Sequence, residues 1–156
     1  MFALSTSYKS HSRAVSDLKA HLVLTTKSRR KVITFIMLKR LGEVCETLCQ
    51  KWGCQVVEFN KEADHIHLLF AYYPQIQLSK FVNNLKTVSS LYIRKEFPEQ
   101  VKRFYWNKPV FWHSAYFIAS CGGTTVETLK RYVQAQDSPL EPQEQPLIGE
   151  ASNLSN

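Results

Sequence analysis

The sequence predicts an α+β domain in which two helices cover one face of an antiparallel sheet. Apolar residues alternate with polar ones in several short stretches, as in strands that are covered on one side, and recur at helical spacing in two longer stretches. These stretches follow one another in the order strand, helix, strand, strand, helix, strand. A chain of 156 residues with a hydrophobic fraction of 44% is typical of one domain with its own core.

The first half of this pattern contains a strand, a helix and a second strand. Residues 17–26 alternate and predict the first strand, and the basic connection 27–31 follows. Apolar residues at helical spacing then predict a helix over 34–52, which Gly53 ends. Residues 55–60 predict the second strand.

The second half repeats this order and adds a helix. The third strand is predicted at 65–72, the second helix at 79–97, and a basic aromatic segment at 102–108. A fourth strand is predicted at 110–121 and a last helix at 126–136. The order corresponds to the ferredoxin-like, or split β-α-β, arrangement, in which the third strand is internal to the sheet.

Charge and composition divide the chain into three parts. Residues 1–17 are an N-terminal extension, 18–136 form the domain, and 137–156 form an acidic tail that is expected to be disordered. Removing the tail's four negative charges from the net charge of +7 leaves +11 on residues 1–136. Such an excess favours a polyanionic partner, although a solvated basic surface is the simpler interpretation.

The sequence disfavours a membrane-spanning protein and a secreted protein. No apolar run approaches the ~20 residues that span a bilayer, and the polar N-terminus is unlike a secretory signal. The cysteines lack Cys-x-x-Cys spacing, which favours small buried thiols in a reducing cytoplasm over disulfides or zinc. They are Cys45, Cys49, Cys54 and Cys121. A cytoplasmic protein is therefore expected.

Two histidines on the third strand suggest a metal site. Side chains alternate along a strand, so His65 and His67 leave one face while Ile66 leaves the other. Two imidazoles need a third donor from elsewhere to complete a metal site, and two histidines satisfied by their neighbours are the alternative. A histidine-triad nucleotide hydrolase would need a third histidine at Leu69 and is therefore disfavoured.

The last predicted helix supplies a tyrosine and a glutamine. Tyr132 and Gln136 are four residues apart, so a helix places both on one face. A His-hydrophobic-His pair with such a helix is what metal-assisted attack of a tyrosine on a phosphodiester requires. The simpler interpretation is a packed tyrosine and a solvated helix end. Asp64 is expected to be a turn residue or one that orients an imidazole, rather than a ligand.

Six separated motifs occur in order over residues 18–136. They are His21-Leu22-Val23 with Thr26-Lys27-Ser28-Arg29-Arg30-Lys31-Val32, Asp64-His65-Ile66-His67-Leu68-Leu69, Phe81-Val82-Asn83-Asn84-Leu85-Lys86, Phe111-Trp112-His113-Ser114-Ala115-Tyr116-Phe117, Ala119-Ser120-Cys121-Gly122-Gly123, and Arg131-Tyr132 with Gln136. In these motifs the chain resembles the small HUH-type transposases with one catalytic tyrosine, which move insertion sequences as single-stranded DNA.

The resemblance implies roles for specific residues. Tyr132 would be the nucleophile, and His65, His67 and Gln136 would hold a divalent ion, Mg²⁺ or Mn²⁺. The product would be a 5′-phosphotyrosine and a free 3′-hydroxyl. The resemblance also implies recognition of subterminal DNA hairpins, an association with the nucleoid of a prokaryote, and a homodimer in which the tyrosine helix serves the histidine pair of the other subunit.

Basic and aromatic side chains are the candidates for DNA contact, because cations bind phosphates and unpaired bases stack on rings. The basic candidates are Lys27, Arg29, Arg30, Lys31, Lys86, Arg94, Lys102, Arg103, His113 and Arg131, and the aromatic candidates are Phe104, Tyr105 and Trp106. Two other classes remain open. One is a single-stranded nucleic-acid-binding module that has lost cleavage, and the other is a host-domesticated nuclease that processes repeats.

Overall fold

Four antiparallel strands form the main sheet of the protein. The computed structural model describes residues 9–11, 14–121 and 126–135, so the predicted acidic tail at 137–156 lies outside it. A small two-stranded sheet pairs β1 (Lys9–His11) with β2 (Ala14–Ser16). The main sheet contains β3 (Leu18–Thr25), β4 (Gln55–Lys61), β5 (His65–Tyr72) and β6 (Phe117–Ser120) in the spatial order β4-β5-β3-β6. This order confirms the predicted fold class and the internal position of the third predicted strand, β5.

The helices connect and cover these strands. They are the 3₁₀ turn Lys27–Arg29, α1 (Phe35–Lys51), α2 (Leu78–Glu96), α3 (Pro98–Tyr105) and α4 (Val126–Ala135). Thr34 caps α1, because its hydroxyl oxygen accepts a hydrogen bond from the Met37 backbone N–H at 3.3 Å. The predicted bounds of α1, α2 and α4 agree with the structure to within one residue at each end.

The hydrophobic core lies between one face of the sheet and the helices α1 and α2. Strands β3 and β5 each send alternate side chains into it, and these are almost completely buried, as are their contacts on the two helices. The side chains from the sheet are Ala20, Leu22, Leu24, Ile66, Leu68 and Phe70, and those from the helices include Met37, Leu41, Phe81 and Leu85. The other side chains of β3 and β5 therefore lie on the opposite face.

Two predictions for residues 97–121 were wrong. The fourth strand was predicted over 110–121, whereas only Phe117–Ser120 pairs with β3. Before it, Phe111 and Trp112 are both buried, and the Trp112 Nε1–H donates to Ser89 Oγ at 2.9 Å. In residues 110–116 the sheet pairing is limited to one isolated bridge, between Trp112 and Thr26. Helix α3 was missed because Pro98 was interpreted as a stop, although proline is also favoured at the first position of a helix.

The cysteine prediction was right for three of four positions. Cys45, Cys49 and Cys54 are buried, whereas Cys121 is exposed at the end of β6, and no disulfide joins any of them. Burial raises the pKa of the Cys45 thiol. Within the described parts of the chain, no helix is long and apolar enough to cross a membrane.

Candidate active site

The two predicted metal-binding histidines lie side by side on the sheet face that is turned away from the core. In the antiparallel register His65 is opposite Thr25 of β3, and His67 is opposite Val23. Both imidazoles are half-buried, whereas Ile66 between them is 1% exposed on the core face. Because β5 is bonded to a strand on each side, the backbone that carries the pair is held in place.

The carboxylate of Asp64 orients the ring of His65. Its Oδ1 is 2.8 Å from Nδ1 of His65, and its Oδ2 is 3.2 Å from Nε of Arg29. Burial opposes ionisation of this carboxyl, but the hydrogen bonds from His65 and Arg29 prevail and lower the pKa of Asp64. A proton held on Nδ1 leaves the lone pair of Nε2 for a ligand, which is how carboxylates prepare metal-binding histidines.

A third histidine, which was not predicted as a site residue, contacts the pair. Nδ1 of His21 is 2.8 Å from Nε2 of His67, and the two rings stack with their centroids 5.0 Å apart. Burial first, and then the proximity of His21, lower the pKa of His67, so the neutral imidazole is favoured. The alternation along β3 could have identified His21, because it places His21 on the same strand face as Val23 and Thr25.

Helix α4 packs on the same face of the sheet as the histidines. Val133 and Val23 form a small buried cluster, and Tyr132 packs against it. The ring of Tyr132 also contacts Phe117 of β6, with the centroids 4.9 Å apart. Tyr132 and the His65–His67 pair, predicted to act together, therefore occupy one surface. The predicted ligand Gln136 and the glycines at 122–123 lie outside the described residues.

The described residues supply an incomplete set of metal ligands. They contain no group of three or more His, Cys, Asp or Glu side chains that could hold a metal ion. What they offer is a pair of imidazoles, one oriented by Asp64 and the other with its pKa lowered. Neutral imidazole nitrogens can bind Mn²⁺ and other first-row divalent ions. His65 offers its Nε2, whereas Nε2 of His67 is in contact with His21 Nδ1 at 2.8 Å and would have to leave that contact to bind an ion. With that change the pair fits a divalent ion as an incomplete ligand set, which a further donor and a phosphate oxygen would complete.

A basic surface begins next to the histidines, at the turn after β3. Lys27, Arg30 and Lys31 are found there beside Arg29, whose guanidinium is bonded to Asp64. The Tyr105 hydroxyl donates to the Lys27 carbonyl oxygen at 2.8 Å, which attaches the end of α3 to this turn. Burial raises the pKa of Tyr105 to about 12.

Helix α3 adds cations and one exposed indole to this surface. Lys102 and Arg103 are exposed, as is Lys108 after the helix. Trp106 follows Tyr105 and is 76% exposed, with a backbone φ of 57°. A left-handed φ is unusual for a bulky residue, and such residues cluster at functional sites. Of the three aromatic candidates here, Phe104 and Tyr105 are largely buried and only Trp106 is exposed.

The remaining DNA candidates are in several places. Lys86 and Arg94 of α2 line an open groove of about 290 Å³, and the Lys86 ammonium donates to the Ser114 carbonyl oxygen at 2.7 Å. Burial lowers the pKa of Lys86. His113 is bonded to its own loop, because its Nδ1 accepts from the Ala115 N–H at 3.0 Å. Arg131 is exposed on α4.

The sequence and the fold both match known transposases. The family described as IS200-like transposases matches residues 14–136. The chain is 28% identical over 120 residues to the transposase for insertion sequence element IS200 of Salmonella typhimurium, covering 77% of each chain. It is 26% identical over 122 residues to the ISDra2 transposase TnpA of Deinococcus radiodurans, covering 78% of this chain and 86% of that one.

A solved structure supports the same assignment. A crystal structure assigned to a transposase of Deinococcus radiodurans R1 superposes with a TM-score of 0.76 at 25% identity, covering 83% of this chain and 98% of that one. Because the family match spans most of the chain, it includes the histidine strand and all of α4. This protein therefore belongs to the family of IS200-like transposases, whose general activity is DNA strand transfer.

Proposed function

We propose that this protein cleaves and rejoins single-stranded DNA at the ends of an insertion sequence through a tyrosine–DNA intermediate. The phenol oxygen of Tyr132 attacks the scissile phosphorus and forms an O–P bond. The 3′-oxygen leaves and takes up a proton, which gives a 5′-phosphotyrosine and a free 3′-hydroxyl. Attack by a 3′-hydroxyl later breaks the Tyr132 ester and joins new ends, so the exchange of esters needs no ATP.

The observation that carries this proposal is the shared location of the nucleophile and the histidines. Tyr132 lies on the sheet face that carries His65 and His67, and it is held there by Phe117 and the Val23–Val133 contact. A phenol with its ordinary pKa of about 10 is protonated at neutral pH, so a neighbouring group must help to remove its proton.

We propose that His65 and His67, with Gln136, hold Mg²⁺ or Mn²⁺. Such an ion supplies a Lewis acid that neutralises charge on the phosphate during attack. The protein's part is to hold His65 with Nε2 free, through Asp64, and to keep His67 neutral.

For DNA recognition we propose the surface formed by residues 27–31 and the end of α3. The basic side chains Lys27, Arg30, Lys31, Lys102 and Arg103 would contact phosphates of a subterminal hairpin or its single-stranded flank. Trp106 would stack on an unpaired base, because its indole is exposed beside these cations. Lys86, Arg94, His113 and Arg131 remain candidates for further contacts. Binding to chromosomal DNA would place the protein at the nucleoid in the cytoplasm.

We also propose that the active protein is a homodimer with exchanged tyrosine helices. The contacts of α4 described above are made within one chain. In an exchanged dimer each α4 would make the same contacts on the other subunit's sheet, so Tyr132 would serve the histidine pair of that subunit. Such an exchange needs no new surface, because both partners of each contact are present in every copy.

The nucleophile is tested by the substitution Tyr132→Phe. It removes only the phenol oxygen, so the free energy of unfolding and hairpin affinity should change little while covalent attachment disappears. The assay is a denaturing gel with DNA labelled at its 3′ end, because a 5′-phosphotyrosine retains the fragment on the 3′ side of the cut. The control is Tyr92→Phe, which alters an exposed tyrosine on α2.

Two outcomes would count against this assignment. An adduct formed by the Tyr132→Phe variant would exclude Tyr132 as the nucleophile. A parent protein that binds hairpins but never forms an adduct would favour the inactive binding module.

The exchange of helices is tested by mixing two inactive proteins. In a trans arrangement, a heterodimer of Tyr132→Phe and His67→Ala subunits has one site with both defects and one intact site. Random mixing makes about half of the dimers mixed, so cleavage should recover to roughly a quarter of the parental rate. In a cis arrangement every site has one defect. No recovery, with subunit exchange verified by tagged pull-down, would establish that α4 acts on its own sheet.

A further inference from the structure

We infer that Arg29 is a positioning residue that couples the orientation of His65 to the docking of the tyrosine helix α4. The inference rests on the proposed function, in which His65 binds the metal and α4 presents the nucleophile. It assigns to Arg29 a role different from the phosphate contact predicted for the basic turn 27–31. A continuous series of contacts links His65 and α4, and the backbone of the turn and the burial of the charges favour the same role.

The contacts run from the metal-site histidine to the helix through a single guanidinium. Nδ1 of His65 is 2.8 Å from Oδ1 of Asp64, and Oδ2 of Asp64 accepts from Arg29 Nε at 3.2 Å. Arg29 Nη1 then donates to the backbone carbonyl oxygen of Gln134 on α4 at 3.4 Å. Because the guanidinium is planar and rigid, its Nε and Nη1 cannot be placed independently. The position of the Asp64 carboxylate therefore affects where the last turn of α4 is held.

The backbone of the turn is built to direct this side chain inwards. Ser28 and Arg29 both have left-handed φ values, 57° and 50°, which cost energy in residues other than glycine. The completely buried Thr26 supports the turn, since its hydroxyl donates to the Arg30 carbonyl oxygen at 2.6 Å. The Thr26 N–H also donates to the Asp64 carbonyl oxygen at 2.9 Å. The turn that carries Arg29 and the residue before the histidines thus move as one unit.

The charged groups of Arg29 and Asp64 are largely buried. The side chain of Arg29 is 24% exposed and that of Asp64 is 10% exposed. A phosphate would have to compete with the Asp64 carboxylate for the Arg29 guanidinium. The series of contacts therefore fits positioning better than phosphate binding at this residue.

Coupling of this kind is reciprocal. If the state of His65 affects how α4 is held, then a divalent ion at His65 must stabilise the docked helix by the same free energy by which docking strengthens metal binding. The observable consequence is slower amide exchange in residues 126–135 when the ion is added.

The test is hydrogen–deuterium exchange of the peptide that covers residues 126–135, in the full chain, with and without Mn²⁺. The variants are Arg29→Lys, Arg29→Ala and Asp64→Ala, and Arg30→Ala is the matched control because it removes a neighbouring side-chain charge outside the series of contacts. In the absence of metal, the first three should exchange about fivefold faster than the parent protein, the effect of one ordinary hydrogen bond. Arg30→Ala should exchange at the parental rate.

Three further readouts separate positioning from a structural or DNA-binding role. Mn²⁺ should slow exchange of this peptide at least about fivefold in the parent protein, the lower end of typical coupling between sites, and should not do so in Arg29→Ala. At saturating hairpin DNA, Arg29→Lys should lower the rate of adduct formation while the hairpin affinity stays near the parental value. Urea unfolding of each variant should show that the domain remains folded.

Specific outcomes would overturn the inference. If Arg29→Lys matched the parent protein in exchange and adduct rate, only the charge at position 29 would matter. If Arg29→Ala lowered hairpin affinity as Arg30→Ala does, with unchanged exchange of 126–135, Arg29 would be a phosphate contact. A parent protein that bound no Mn²⁺ would refute the proposed metal role, whereas the metal-free comparison of the variants would still decide whether Arg29 and Asp64 hold α4.

Discussion

Replacing Asp64 by asparagine should weaken metal binding through the tautomer of His65. The carboxylate accepts from two donors, Nδ1 of His65 at 2.8 Å and Nε of Arg29 at 3.2 Å. An asparagine has one acceptor oxygen and one NH₂ group, so its two polar atoms cannot both accept. If the oxygen remains with Arg29, the NH₂ group faces His65, whose Nδ1 must then become an acceptor. The imidazole proton moves to Nε2, and the nitrogen proposed to bind the metal is blocked.

Two losses are expected from this geometry, one in metal affinity and one in the free energy of unfolding. Loss of a carboxylate that orients a ligating histidine typically weakens metal binding about 10–100-fold, which corresponds to about 1.4–2.8 kcal/mol. The free energy of unfolding should fall by about 2 kcal/mol, since a hydrogen bond to a charged group contributes about 1.5–3 kcal/mol and this pair is largely buried.

The measurements are calorimetric titration with Mn²⁺ and urea unfolding, both at one pH near neutrality. Asp17→Asn is the matched control, because it removes the same charge from a carboxylate that is paired at the surface with Lys19 at 3.3 Å. The control should bind Mn²⁺ with parental affinity. The reasoning would be refuted if Asp64→Asn bound Mn²⁺ with the affinity of the parent protein, because His65 would then not depend on the carboxylate.

Two further predictions concern the end of α3. Trp106→Ala should weaken hairpin binding by about 1–3 kcal/mol, the contribution of one stacked base. The control Phe35→Ala, which removes a 75% exposed ring from α1, should leave hairpin binding unchanged. Equal effects of the two substitutions in a fluorescence titration would argue against stacking at Trp106. Tyr105→Phe removes the hydrogen bond to the Lys27 carbonyl and should lower the free energy of unfolding by about 1 kcal/mol at neutral pH. Because the folded pKa of Tyr105 is about 12 and its ordinary value is 10, the unfolded chain loses this proton first, so the parent protein should lose stability between pH 10 and 12. The Tyr105→Phe variant should lack that part of the alkaline loss when urea unfolding is compared at both pH values, and an identical alkaline loss would show that Tyr105 is not the titrating group.

The strands and helices that were predicted well are those with one uninterrupted pattern. Strand β5 has the predicted bounds His65–Tyr72, since polar and apolar residues alternate along its first half and Pro74 follows. Prediction failed where one local pattern is compatible with two different structures. Phe111 and Trp112 look like strand residues because they are aromatic, but each is buried by tertiary contacts that no local pattern records. Pro98 could end one helix or begin another, and only the packing of α3 decides this.

Prediction of the candidate site was limited in the same way. The predicted location of His65 and His67 followed from alternation within one strand, and the position of α4 on the same face is consistent with it. His21, which is 46 positions from His67, was missed as a site residue because its contact depends on the register between β3 and β5. A sequence shows the period of each strand, but the register between strands is set by the packed core and the connecting turns.

The alternation along β5 also has an evolutionary consequence. The side chains that stabilise the domain and those proposed for chemistry occupy opposite faces of the same strand, with Leu68 and Phe70 buried and His65 and His67 half-buried. Substitutions at the histidines therefore remove few core contacts, and selection on folding and selection on cleavage can act almost independently. A descendant of this protein could lose the proposed strand cleavage by one codon change and keep its fold and its basic surface. Such a chain would persist as a DNA-binding protein, available to a host genome for a new use.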